Sequence, residues 1–141
     1  MENENMVQDF ITGLDLREKE HRQHTRVVAR SKVAILLPNR KIVHMSMLDI
    51  SVGGFSALHD TINLPPDIKV QVAFKLPHYA HIEDREIHAI CRVVYNSFLA
   101  AHQRFRIGFE FVRFKDPQME EIITEYVDHC STVIQPNPRL F

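Results

Sequence analysis

The chain has 141 residues with a formal net charge of −1, and is 45% hydrophobic and 25% charged. That balance predicts one ordinary folded domain with a real core, and excludes a disordered chain and a general binder of polyanions. The longest aliphatic run, Val33 to Leu37, is far short of the ~20 residues a membrane span needs, and the first sixteen residues carry Glu2, Glu4, Asp9 and Asp15 without Lys or Arg, unlike a secretory signal.

Residues 1–20 read as a polar lead-in with a short amphipathic turn or two around Met6 to Leu16. A strand period follows. Val27 to Leu37 is rich in Val and Ala, and Arg40 to Ile50 is a weaker strand with both faces partly apolar. Ile68, Val70, Val72, Phe74 and Leu76 alternate strictly with Lys69, Gln71, Ala73 and Lys75, the pattern of a half-buried strand. Ile87 to Ser97 is a further strand, and Phe105, Ile107, Phe109 and Phe111 alternate with Arg104, Arg106, Gly108 and Glu110. Turn chemistry falls between these runs at Pro38-Asn39, Gly53-Gly54, Pro65-Pro66-Asp67 and around Pro77.

A helix closes the domain. Asp116 suits an N-cap and Pro117 the first helical position, and Met119, Ile122, Ile123, Tyr126, Val127 and Cys130 recur at three- and four-residue spacing. About six successive strands and one helix predict an all-β antiparallel barrel or sandwich, with the helix over an open end or one face. The last segment, 131–141, reads as an irregular tail. Cys91 and Cys130 sit inside apolar patterns without CxxC spacing, which fits buried thiols in a reducing cytoplasm.

Charge is uneven along the chain. Arg17 to Lys32 carries a local net of +4, bounded by a first segment of −4 and by Lys115 to Asp128, also −4. Such a basic stretch attracts an anion locally. Within it, Arg22 and Arg26 stand four apart, a spacing that projects both to one side whether the chain is extended or helical. Two guanidinium forks match phosphates and the O6/N7 edge of guanine. Arg26 and Arg30 share the spacing, but Arg30 falls inside the strand body, which favours the earlier pair.

The second cluster is Asp49-Ile50-Ser51-Val52-Gly53-Gly54. At a strand end Asp49 and Ser51 point one way and Ile50 and Val52 the other. A carboxylate accepts both N1–H and N2–H of guanine, a hydroxyl adds a bond to base or phosphate, and glycines permit positive φ and the close approach of a ring. The same residues also make an everyday hairpin turn. Together the clusters suit an anionic guanine nucleotide.

Here the sequence resembles the PilZ domain family of cyclic di-GMP receptors, whose pattern is RxxxR, about twenty to thirty residues, then (D/N)xSxxG. Arg22-x-x-x-Arg26 is followed after twenty-two residues by Asp49-x-Ser51-x-x-Gly54. Cys91-Arg-Val-Val-Tyr95 and Arg106-Ile-Gly-Phe-Glu-Phe111 resemble the family's last two strands, and Asp116 onward its closing helix. The resemblance implies a six-stranded antiparallel barrel with a C-terminal helix over 21–130, after a lead-in of 1–20. It implies Arg22 and Arg26 gripping guanine and phosphate, Asp49 and Ser51 reading the base edge, and Gly54 allowing close approach. His21, Gly53, Arg30 and Tyr95 are further ligand-binding candidates, Tyr95 because some members place an aromatic near the base.

The implied protein is a cytoplasmic, non-enzymatic receptor with no cofactor beyond cyclic di-GMP itself, acting on an unidentified protein partner of motility, pilus or biofilm machinery. DNA is not an expected partner. The competing reading is a PilZ-like adaptor that binds proteins and no nucleotide; a barrel enzyme or oligonucleotide binder is the third. His78 and His81 stand only three apart among nine histidines, but no third ligand follows at useful spacing, so no metal is expected. No catalytic residue is expected either: GxSxG, P-loop and HExxH motifs are absent from the sequence.

Overall fold

The first strand, β1 (Val27–Leu36), turns Val27, Ala29, Val33 and Ile35 to the interior, the alternation breaking only at Ser31, where the register with its neighbour shifts. The computed structural model describes residues 25–61, 64–77 and 85–134. Five more strands follow in chain order: β2 (Ile42–Ile50), β3 (Gly54–His59), β4 (Lys69–Leu76), β5 (Arg85–Leu99) and β6 (Arg104–Phe114). One helix, α1 (Gln118–Ile134), closes the described chain. All neighbours pair antiparallel in the order β1-β2-β3-β6-β5-β4, and β4 returns to β1 to close a barrel. Closure leaves no sheet edge in the barrel unpaired.

The alternating runs land where their period places them. Val70, Val72, Phe74 and Leu76 point inward from β4, and Ile107 and Phe109 from β6. β2 starts two residues later than the apolar pattern alone suggests, because Pro38 to Lys41 makes the turn: Arg40 sits at φ 72°, its N–H donates to the Leu37 carbonyl, and Lys41 N–H donates to Asn39 Oδ1. β5 runs two residues past the expected span at each end and meets β6 through a tight turn with Gln103 at φ 52°.

The largest difference from the sequence reading is β3. Gly54 is a strand residue, not the second half of a turn, and Gly54, Phe55, Ser56 and Ala57 are all buried. A strand covered on both faces has no polar face to alternate with its apolar one, so period two is silent there. Phe55 is the centre of the core. Its ring stacks on Phe109 at 4.7 Å and tilts against Phe74 at 5.6 Å and Phe111 at 5.8 Å.

Helix α1 begins as its sequence dictates: Gln118 N–H donates to Asp116 Oδ1 at 2.9 Å, the N-cap bond that satisfies an otherwise orphaned amide. Ile123, Tyr126 and Val127 enter the core, with Met119, Ile122 and Cys130 packed against it. The helix packs on β1 and β5, where Tyr126 Oη donates to the Val28 carbonyl and His88 N–H donates to Met119 Sδ. It continues to Ile134, into the segment expected to be irregular. Both cysteines are free thiols. Burial pushes the Cys91 thiol far above its ordinary range, whereas Cys130 is only half-buried, short of the full burial its pattern suggests.

Because Phe55 touches three other rings, Phe55→Ala is expected to cost about 3–5 kcal/mol. A urea titration checks this as a lower midpoint with an unchanged slope; a loss below about 1 kcal/mol would deny the ring its central place.

Candidate functional site

The end of β2 points one carboxylate outward. Ile50 is fully buried and pairs with Phe55, so its neighbour Asp49 must face the outside of the barrel, where it pairs with Ser56. Three donors converge on it. Arg26 Nη1 and Ser56 Oγ both donate to Asp49 Oδ1 at 2.8 Å, and Arg106 Nη2 donates to Oδ2 at 3.0 Å. The Asp49 side chain is 20% exposed, against 43% for Arg26 and 37% for Arg106. The carboxylate is therefore largely shielded, while the arginine on its arm side stands in solvent.

Ser51 is placed differently. It is 2% exposed, its N–H donates to the Gly54 carbonyl at 2.8 Å, and its hydroxyl accepts from Gly53 N–H at 3.2 Å while donating to the Gly54 carbonyl at 3.4 Å. Its hydroxyl thus pins the turn that carries the chain from Asp49 to β3. Gly53 is tied down as well, its carbonyl accepting from Phe111 N–H at 2.9 Å.

No described glycine uses a positive φ, so the conformational reason anticipated for Gly53 and Gly54 does not apply. What requires the glycine at 54 is the protein's own backbone. A Cβ on Gly54 would meet the Phe109 carbonyl oxygen at 2.0 Å, because β3 and β6 run together there. Gly54 is required by the barrel wall itself.

Across the sheet, Asp49 pairs with Ser56, Ser56 with Gly108, and Gly108 with Tyr95. These four positions form one outward-facing row over four strands, spanning roughly 14 Å at the usual strand spacing. The Tyr95 ring lies across Gly108: a Cβ there would meet its ring carbons at 2.1 to 2.6 Å. Tyr95 therefore shares a row with Asp49, its ring seated where a side chain would otherwise stand. Arg30 does not join them; it lines an open groove with Leu48, Leu58, Leu99, His102 and Arg104. Arg22, His21, His78 and His81 lie outside the described residues. Among the described residues no group of three or more His, Cys, Asp or Glu could hold a metal ion, and no helix is long and apolar enough to cross a membrane.

A family model described as "PilZ domain" matches residues 20–129. The chain belongs to the PilZ domain family. Several solved structures share its barrel. The inhibitor of motility MotI/DgrA of Bacillus subtilis superposes with a TM-score of 0.69 at 16% identity, covering 82% of this chain and 53% of its own. MrkH of K. pneumonia, in complex with c-di-GMP, gives 0.67 at 16% identity, covering 80% of this chain and 53% of its own. The PilZ domain of YcgR from Escherichia coli, also with c-di-GMP, gives 0.58 at 14% identity, covering 80% and 93% respectively. At such identities the likeness is one of fold, and the chain spans about half the length of MotI/DgrA and MrkH. No curated protein matches the chain.

Three residues of this candidate site escape sequence reasoning. Arg106 is separated from Asp49 by 57 positions, and Ser56 lies in the strand without alternation. Gly108 was legible only as an outward position of β6, with nothing in the sequence to pair it with Tyr95.

The two glycines are expected to respond differently to a methyl group. Gly54→Ala meets backbone and should cost more than about 3 kcal/mol or prevent folding, whereas Gly108→Ala displaces one ring and should cost about 1–3 kcal/mol. Thermal melts of both variants check the order; equal losses would contradict the packing described.

Proposed function

We propose that this PilZ domain is a cyclic di-GMP receptor. The observation that carries the reading is the meeting of its two motifs: Arg26, from the RxxxR arm, donates to Asp49, from the DxSxxG shelf, at 2.8 Å. Two segments 23 positions apart in the chain thereby form one site with guanidinium and carboxylate side by side. That pairing supplies what an anionic guanine nucleotide needs, a fork for phosphate or the O6/N7 edge and an acceptor for N1–H and N2–H. The c-di-GMP complexes of YcgR and MrkH, similar in fold, support the same ligand here.

In this reading Arg22 and Arg26 grip guanine and phosphate, Asp49 reads the base edge, and Ser51, Gly53 and Gly54 hold the turn that presents it. Tyr95, on the same row, offers an aromatic ring toward the base, and His21 extends the arm. The role is that of a binding module, not a catalyst. Seating a doubly charged ligand offsets half of the +4 on the stretch from Arg17 to Lys32, orders the arm, and offers a changed surface to a protein partner. The fold neighbours include an inhibitor of motility and a c-di-GMP-dependent transcription regulatory factor, which favours a regulated partner as the output.

Calorimetric titration of the full chain with cyclic di-GMP, GTP and single-stranded RNA tests the proposal. Saturable binding of cyclic di-GMP alone is expected. Arg22→Ala or Arg26→Ala should each remove about 2–5 kcal/mol, roughly 30-fold to several thousand-fold in affinity. Arg26→Ala should barely change the melting temperature, because Arg26 itself stands largely in solvent and Asp49 keeps Ser56 and Arg106 as donors without it. Arg30→Ala should be milder. Wild-type affinity in Arg22→Ala would remove that arginine from the site.

A further inference from the structure

Arg106 is held in an unusual way. Its Nη2 donates to Asp49 Oδ2 at 3.0 Å and reaches Ser56 Oγ at 3.4 Å, while its Nε is buried and has no hydrogen-bond partner among the described residues. A buried N–H without a partner is costly, so the seat of this guanidinium is maintained by its contacts to Asp49 and Ser56. The other arginine on Asp49, Arg26, precedes β1 and is the more exposed of the two.

Acceptor capacity then decides which arginine can exchange. A carboxylate offers about four lone-pair sites, two on each oxygen. Oδ1 receives Arg26 and Ser56, whereas Oδ2 receives Arg106 alone among the described residues. A guanine edge presents two parallel donors and needs a site on each oxygen. Departure of Arg26 opens Oδ1 without moving Arg106, and Oδ2 already has capacity. We infer that Arg106 is a positioning residue for guanine recognition: it is the standing counter-ion that keeps Asp49 oriented when Arg26 leaves it for the ligand. This rests on the receptor reading above and adds the source of its base specificity.

The test couples the residue to one group on the ligand. Cyclic di-GMP is compared with cyclic di-IMP, whose hypoxanthine keeps N1–H and lacks the 2-amino group, by calorimetry on wild type, Arg106→Ala and Arg106→Lys. Wild type should prefer cyclic di-GMP by roughly tenfold or more. In Arg106→Ala the preference should shrink to within about threefold, with cyclic di-GMP affinity down roughly 10- to 100-fold. Arg106→Lys keeps the charge but loses the rigid planar group whose Nη2 meets both Asp49 and Ser56, and should narrow the preference in the same direction; it carries the test if the alanine variant does not fold. An unchanged preference, or equal losses for both ligands, overturns the positioning role while leaving the receptor reading intact. Wild type that binds neither ligand overturns the receptor reading and this inference with it.

Discussion

The site depends on one carboxylate surrounded by donors. Asp49 sits at the end of a strand whose next residue, Ile50, is locked into the core, so its side chain has a single direction available. Ser56 and Arg106 hold it from the barrel wall and Arg26 from the arm. Desolvating a charge is tolerable only when it is paired and hydrogen-bonded, and here three donors from three separate elements hold it. The consequence is a rigid acceptor whose partner on the solvent side is the easiest to exchange.

The barrel supplies that rigidity. Phe55 anchors β3 against β6 through its stack on Phe109, and the absence of a side chain at Gly54 lets the two backbones approach at the point where the Ser51 turn ends. One strand over, the same closeness at Gly108 admits the Tyr95 ring. Core packing and site geometry are thus consequences of one register: a slip of a single residue between β3 and β6 would turn Phe55 outward and Ser56 inward, dismantling both together.

Much of this was legible in the sequence, and the parts that were not share a cause. Strands with one wet face, such as Val70 to Leu76, announce themselves by alternation, and α1 by its cap and stripe. β3 is dry on both faces and gives no such signal. Asp49 could be found because its motif is local, and Arg26 because its spacing is. Arg106 was visible only as one of several outward residues of β6, since its meeting with Asp49 is produced by the pairing of β3 with β6 and by no feature of its own neighbourhood. Ser51 shows the converse: its place in the motif suggested an open hydroxyl, and its burial shows that hydroxyl working on the turn.

The central claim concerns which partner of Asp49 gives way. A crystal structure of the full chain grown with saturating cyclic di-GMP tests it directly. The account requires a guanine edge on both oxygens of Asp49, Arg26 turned from the carboxylate to the nucleotide, and Arg106 still on Oδ2. A nucleotide bound elsewhere while the Arg26–Asp49 pair stays closed would contradict it.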